Sequence, residues 1–162
     1  MKILRVLLII SMLLALASPS LAQTKPAAPA AKQPDIVDAL GKVKLADLKK
    51  AVPRGVEAPF KAEPGSRLAS VGAVTRLAVP GEEVVYYFNR SGVLVSAQTK
   101  ARRPIPKEEL IKEIKGIEFK KFPPNQVSAA FVRRSATVIQ GFYLSKDEKF
   151  VEYTTYDYFP GK

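Results

Sequence analysis

Two runs that alternate apolar and mixed residues, Glu83–Asn89 and Gly92–Lys100, meet at Asn89-Arg90-Ser91-Gly92, and this pairing constrains the fold more than any other stretch of the chain. Asparagine and glycine at such a junction favour a tight turn between antiparallel strands. Val84, Tyr86 and Phe88 then share one face, and Val85 and Tyr87 the other. Strict alternation in the second run sets Val93, Val95 and Ala97 against Leu94, Ser96 and Gln98. The pattern predicts a sheet with one greasy face and one mixed face. A second hairpin is expected from Thr137–Ser145 and Lys149–Phe159 around Lys146-Asp147-Glu148, and Arg67–Val79 and Val127–Arg134 supply one further strand each.

Helical signals precede each group of strands. Asp35 is placed to cap a short turn of helix that Gly41 stops, and Leu45, Leu48 and Val52 follow at helical spacing before Pro53. Pro106 and Gly116 bracket a second helix with Leu110, Ile111 and Ile114 on its apolar side. The two halves of the chain thus run in the same order. Leu48 to Glu57 parallels Leu110 to Glu118, Glu63-Pro64-Gly65 parallels Phe122-Pro123-Pro124-Asn125, and a strand and a hairpin follow each. The expected fold class is α+β, a tandem duplication of an α-β-β-β unit with half-repeats 35–101 and 102–162. Joined edge to edge, the halves would form one antiparallel sheet of about six strands, with the helices on one face and the other face open. This element order is similar to that of small exported modules such as the β-lactamase inhibitor proteins and short outer-membrane assembly subunits. The similarity is one of order alone, and no residue role carries over from it.

The N-terminus predicts an address. Lys2 and Arg5 precede an apolar run from Val6 to Ala17, Pro19 breaks it, and Ser20-Leu21-Ala22 offers small residues to a signal peptidase. The run is shorter than the roughly 20 residues that span a bilayer. Residues 1–22 are therefore expected to be a cleaved signal peptide and residues 23–34 a Pro/Ala-rich linker, with one domain over residues 35–162. Cleavage leaves 140 of the 162 residues and takes the net charge from +11 to +9, because Lys2 and Arg5 depart. The expected location is the periplasm or the medium.

Histidine and cysteine are both missing, and this narrows the chemistry. No disulfide can form, Ser–His and Cys–His nucleophiles cannot be assembled, and the usual zinc, copper and iron ligands are lacking. No cofactor and no metal are expected. The acidic pairs Glu82-Glu83, Glu108-Glu109 and Asp147-Glu148 fall in turns or a helix start, where solvation and the helix dipole explain them. The reading is a non-enzymatic binding module that docks a protein partner on the open sheet face, with tyrosines for contact area and basic residues for steering. Tyr87, Arg102, Arg103, Arg133 and Tyr153 are the candidate binding residues. In the last strand, alternation sets Phe150, Tyr156 and Tyr158 against Val151, Tyr153 and Phe159. The alternative is a basic envelope protein that binds an anionic polymer or lipid, and a small hydrolase working through two carboxylates ranks third. Nucleic acid is a poor candidate for an exported chain without a focused groove.

Overall fold

The computed structural model describes residues 35–122 and 126–160. The expected signal peptide and linker, and the Pro123-Pro124-Asn125 part of the second turn, lie outside the described residues. The chain begins with α1 (Ile36–Ala39) and α2 (Leu45–Ala51), then β1 (Val56–Pro59), α3 (Arg67–Ser70), β2 (Thr75–Val79), β3 (Val84–Phe88) and the long β4 (Leu94–Pro106). It continues through α4 (Lys107–Glu113), β5 (Lys120–Phe122), β6 (Val127–Arg133), β7 (Val138–Leu144) and β8 (Phe150–Tyr158).

These strands make one eight-stranded sheet in the order β1-β2-β3-β4-β8-β7-β6-β5, with every pairing antiparallel. The expectation of an α+β fold with about six strands is overturned, because the described chain is mostly β and its four helices have only four to seven residues each. Two strands escaped the pattern. β1 is four residues ending in Pro59, and β5 is the three residues Lys-Lys-Phe, so neither shows a hydrophobic alternation. Both are edge strands, where short length, proline and lysine are what keep a sheet from pairing further. The predicted strand from Arg67 is also corrected. Ser66 accepts a hydrogen bond from the Ala69 amide at 3.2 Å and so caps α3, and the strand starts only at Thr75.

The second half is α4 followed by the meander β5–β8, whereas the first has α1 and α2 ahead of β1 and α3 inserted between β1 and β2; the halves meet along β4 and β8. One sheet face carries the main core. Leu48 of α2 and Val52, which follows its last turn, pack there with Leu77, Val84, Tyr86, Phe88, Leu94 and Val138, all buried. Asp35 caps α1 as expected, accepting from the Val37 amide at 2.9 Å. Leu110 of α4 packs on Phe142, Leu144 and Val151. Val138 and Phe142 lie four residues apart on β7, with even register against β8 between them, so α4 and α2 cover the same face. Ile111, expected on the apolar side of α4, points to solvent at 44% exposure.

The second face is not bare. The β1–β2 connection, residues 60–74, folds back across it and buries Tyr87 and Val95 beneath Phe60, Leu68 and Val71. Among the described residues three register shifts interrupt the sheet, one between Lys100 and Ile105 on β4 and two that shape this face. Phe88 pairs with Leu94 while Tyr87 pairs with Ser96, so Val95 is an extra residue and turns to the second face together with Ser96. In the same way Tyr143 pairs with Tyr153 while Leu144 pairs with Val151, which makes Glu152 the extra residue. Val151 therefore joins the helix-side core while Tyr153 faces the other way, against the shared face that strict alternation predicted.

Candidate functional site

Four aromatic side chains cross the second face on consecutive strands: Phe122 of β5, Phe131 of β6, Tyr143 of β7 and Tyr153 of β8. Phe122 and Phe131 meet edge to face at 5.2 Å between ring centres, and Phe131 meets Tyr143 the same way at 5.9 Å. Tyr143 and Tyr153 are direct register partners and stack at 4.5 Å, with 14° between their planes. Each such contact adds about 0.5–1.5 kcal/mol beyond area burial. Gly141 makes the row possible. A Cβ there would stand 2.7 Å from Thr155 Oγ1, 2.9 Å from Phe131 and 3.0 Å from Tyr143, so any side chain would lift the rings.

Opposite this row runs the β1–β2 connection. Residues Glu63 to Arg67 and the row Phe122, Phe131, Tyr143 and Tyr153 enclose an open groove of about 600 Å³. A second depression of about 330 Å³ lies on the far side of Phe122 and Phe131, which form the ridge between the two. Both rings stay well exposed, Phe122 at 39% and Phe131 at 43%.

One ion pair fastens the connection over the sheet. Arg67 Nη1 donates to Asp157 Oδ1 on the central strand β8 and to Ser96 Oγ on β4, the latter at 3.1 Å. The Asp157 side chain is 1% exposed and that of Arg67 21%. Burial pushes the Asp157 carboxyl above its ordinary value, and Arg67 and then Ser96 oppose the rise. Burial likewise raises the Tyr143 and Tyr153 hydroxyls, against the pull of Arg67 on both. Thr155 Oγ1, fully enclosed beside them, lacks a well-formed hydrogen bond, and only a weak interaction with the Tyr143 hydroxyl serves it. A lone acid in the aromatic run Tyr156-Asp157-Tyr158 was the available signal for this pair, since an inward charge in a strand demands a partner.

The five sequence-predicted residues do not converge. Tyr87, Tyr153 and Arg133 do share the second face, through the register row Tyr87–Ser96–Asp157–Ile139–Arg133 and its neighbour. Tyr87, however, is 8% exposed and sits edge to face on Phe60 at 5.0 Å, beneath the connection. Tyr153 stands in the aromatic row. Arg133 is exposed and donates to the Ala136 carbonyl at 3.0 Å within the β6–β7 turn. Arg103 is exposed near the end of β4, and Arg102 lies beside it in the same strand with its side chain outside the described set. Phe122, Phe131 and Tyr143 were missed as a group, because β5 was not predicted and only pairing across strands brings them together.

A second polar cluster lies at the β7–β8 turn, one register step from the Lys120–Ala129 pair. Glu148 accepts from Ser128 Oγ at 2.9 Å and from Lys121 Nζ, and hydrogen bonds from Lys121 and then Ser128 hold its carboxyl below the usual value. This arrangement ties the β7–β8 turn to β5 and β6. Among the described residues no three His, Cys, Asp or Glu side chains converge on a possible metal position, and no helix is long and apolar enough to cross a membrane. No protein-family model, curated protein or solved structure matches the chain. The geometry alone carries the functional reading.

Proposed function

We propose that this chain is an exported, non-catalytic binding module that docks a protein partner on the aromatic row of its second sheet face. The observation that carries the reading is the exposed Phe122–Phe131 ridge, continuous with the stacked Tyr143–Tyr153 pair and flanked by a groove on each side. Rigid aromatic side chains give contact area at low entropic cost and dominate the buried centres of interfaces. An apolar ridge left in water on a small basic protein is a liability unless something covers it. Export rests on the N-terminal sequence pattern of residues 1–22.

A photo-crosslinking residue at position 131 tests this in cells carrying the full chain. One protein should crosslink at this position and fail to do so from an equivalent probe at Glu57, on the far edge strand. Tyr153→Ala should abolish the crosslink while leaving the protein folded. Crosslinks that are absent, or indifferent to Tyr153, would sink the proposal. The second reading, an anionic polymer or lipid, draws on the exposed Arg76, Lys100, Lys120 and Arg133 of the same face. It predicts retention that disappears as salt screens the charges, whereas aromatic docking persists.

A further inference from the structure

The charges that flank the aromatic row narrow the partner's chemistry. Following the register across the sheet, Lys100 of β4 pairs with Tyr153, Tyr153 with Tyr143, Tyr143 with Ala129, and Ala129 with Lys120 of β5. One line perpendicular to the strands therefore reads Lys-Tyr-Tyr-Ala-Lys. Four strand spacings separate its ends, about 19 Å. Both lysines are exposed. Lys100 has no ion pair among the described residues, and Lys120 has only Glu118 at 3.7 Å, with the two side chains 70% and 78% exposed. A pair this open contributes little and is readily exchanged for another carboxylate.

Of the acids near the row, Glu152 is exposed beside Tyr153 and acts on its hydroxyl, and the others compete weakly. Asp157 is buried and already bonded to Arg67. Among the described residues Glu63, on the connection, is the one acid lining the main groove. The flat stack of Tyr143 on Tyr153 occupies the ring face that each turns to the other. Strand addition is discouraged at both edges, where β5 is three residues with two lysines and β1 ends in Pro59.

Resting on the docking reading above, we infer that the row takes an extended acidic segment of a protein, lying across the strands with a carboxylate at each lysine and an apolar anchor against Phe131 and Tyr153. At about 3.3 Å per extended residue the two carboxylates are roughly six residues apart. The lysines steer and set the register, and the ridge supplies the contact area.

The test uses the full chain and a synthetic fluorescent peptide with two glutamates about six residues apart and a Phe-Leu pair between them. Anisotropy should report binding that falls about tenfold or more in the Lys100→Glu/Lys120→Glu chain, since opposed like charges cost well over the 1.4 kcal/mol of one decade. The same peptide with lysines in place of glutamates should bind that variant and not the parent. Glu63→Gln should tighten the acidic peptide by about twofold, the direction expected from removing the groove's own carboxylate. Charge reversal without effect would overturn the inference. Preference for phosphatidylglycerol vesicles over the peptide, lost with the same two lysines, would also overturn it in favour of a lipid surface. If the peptide arms fail while the crosslink from position 131 persists, the acidic specificity falls and the docking face stands. If both fail, both proposals fall.

Discussion

Replacing Arg67 with methionine tests whether one ion pair holds the β1–β2 connection over the sheet. The substitution keeps much of the side-chain volume and removes the guanidinium that serves Asp157, whose side chain is 1% exposed. Breaking a buried pair by deleting one partner costs about 3–5 kcal/mol, because the remaining charge is left without compensation. Arg67 keeps 21% exposure, so the lower end, about 3 kcal/mol, is the expected cost. Against a total stability of about 5–15 kcal/mol this is a large share, and at about 4 °C per kcal/mol it lowers Tm by about 12 °C. The pH dependence has a definite sign. Burial already holds the folded-state Asp157 carboxyl above its ordinary value, and loss of Arg67 drives it higher. A carboxyl raised in the folded state favours folding while protonated, and that contribution is lost as pH climbs through the raised value. The Arg67→Met defect is therefore greatest at neutral pH and shrinks in acid. Urea titrations of the parent, Arg67→Met, Asp157→Asn and the double variant at pH 4 and pH 7 give the full cycle. The double variant should recover part of the loss at pH 7, since no charge remains buried. A cost below about 1 kcal/mol at neutral pH, unchanged in acid, would refute the reasoning.

Gly141→Ala should destabilise by about 1–3 kcal/mol in the same urea assay, as expected for overpacking where the new Cβ meets Thr155, Phe131 and Tyr143 at 2.7–3.0 Å. Its binding loss should exceed that of a remote variant of equal stability. Tyr87→Ala should cost about 3–5 kcal/mol, because it empties a buried site beneath Phe60, whereas half-buried Tyr153→Ala should cost markedly less and lose binding. Equal stability losses at the two tyrosines would contradict their placement.

Within each hairpin, alternation was an adequate guide. It placed Val84, Tyr86 and Phe88 on the core side and Val85 and Tyr87 opposite, as the packing clusters have them. It failed where a strand carries an extra residue. Val95 and Glu152 each shift the phase by one, and nothing in the local composition marks a bulge of this kind. The edge strands β1 and β5 were illegible for a different reason, since edges are defended by the charges and proline that make them look like loop. The short helix α3 was more readable than the expected strand at Arg67 allowed: Ser66 is a capping residue and Gly72, at φ +70°, is a natural stop. The Arg67–Asp157 pair spans 90 residues of sequence, and no periodicity reaches that far.

These two bulges and the ion pair together explain how an antiparallel sheet comes to expose aromatic residues on one half of a face and bury them on the other. A sheet of strict alternation would have put Val151 and Tyr153 on the same side, and one of them would have been misplaced. The extra residue at Glu152 lets Val151 complete the core under α4 while Tyr153 turns out to stack on Tyr143. The extra residue at Val95 does the converse in the first half, sending one more apolar side chain to the second face to support the connection that covers Tyr87. Arg67 then ties that connection down at Asp157, on the strand that also carries Tyr153. The covered half is the anchor and the uncovered half is the site. Loosening the anchor at Arg67 should therefore reach the groove directly, since residues Glu63 to Arg67 form its wall.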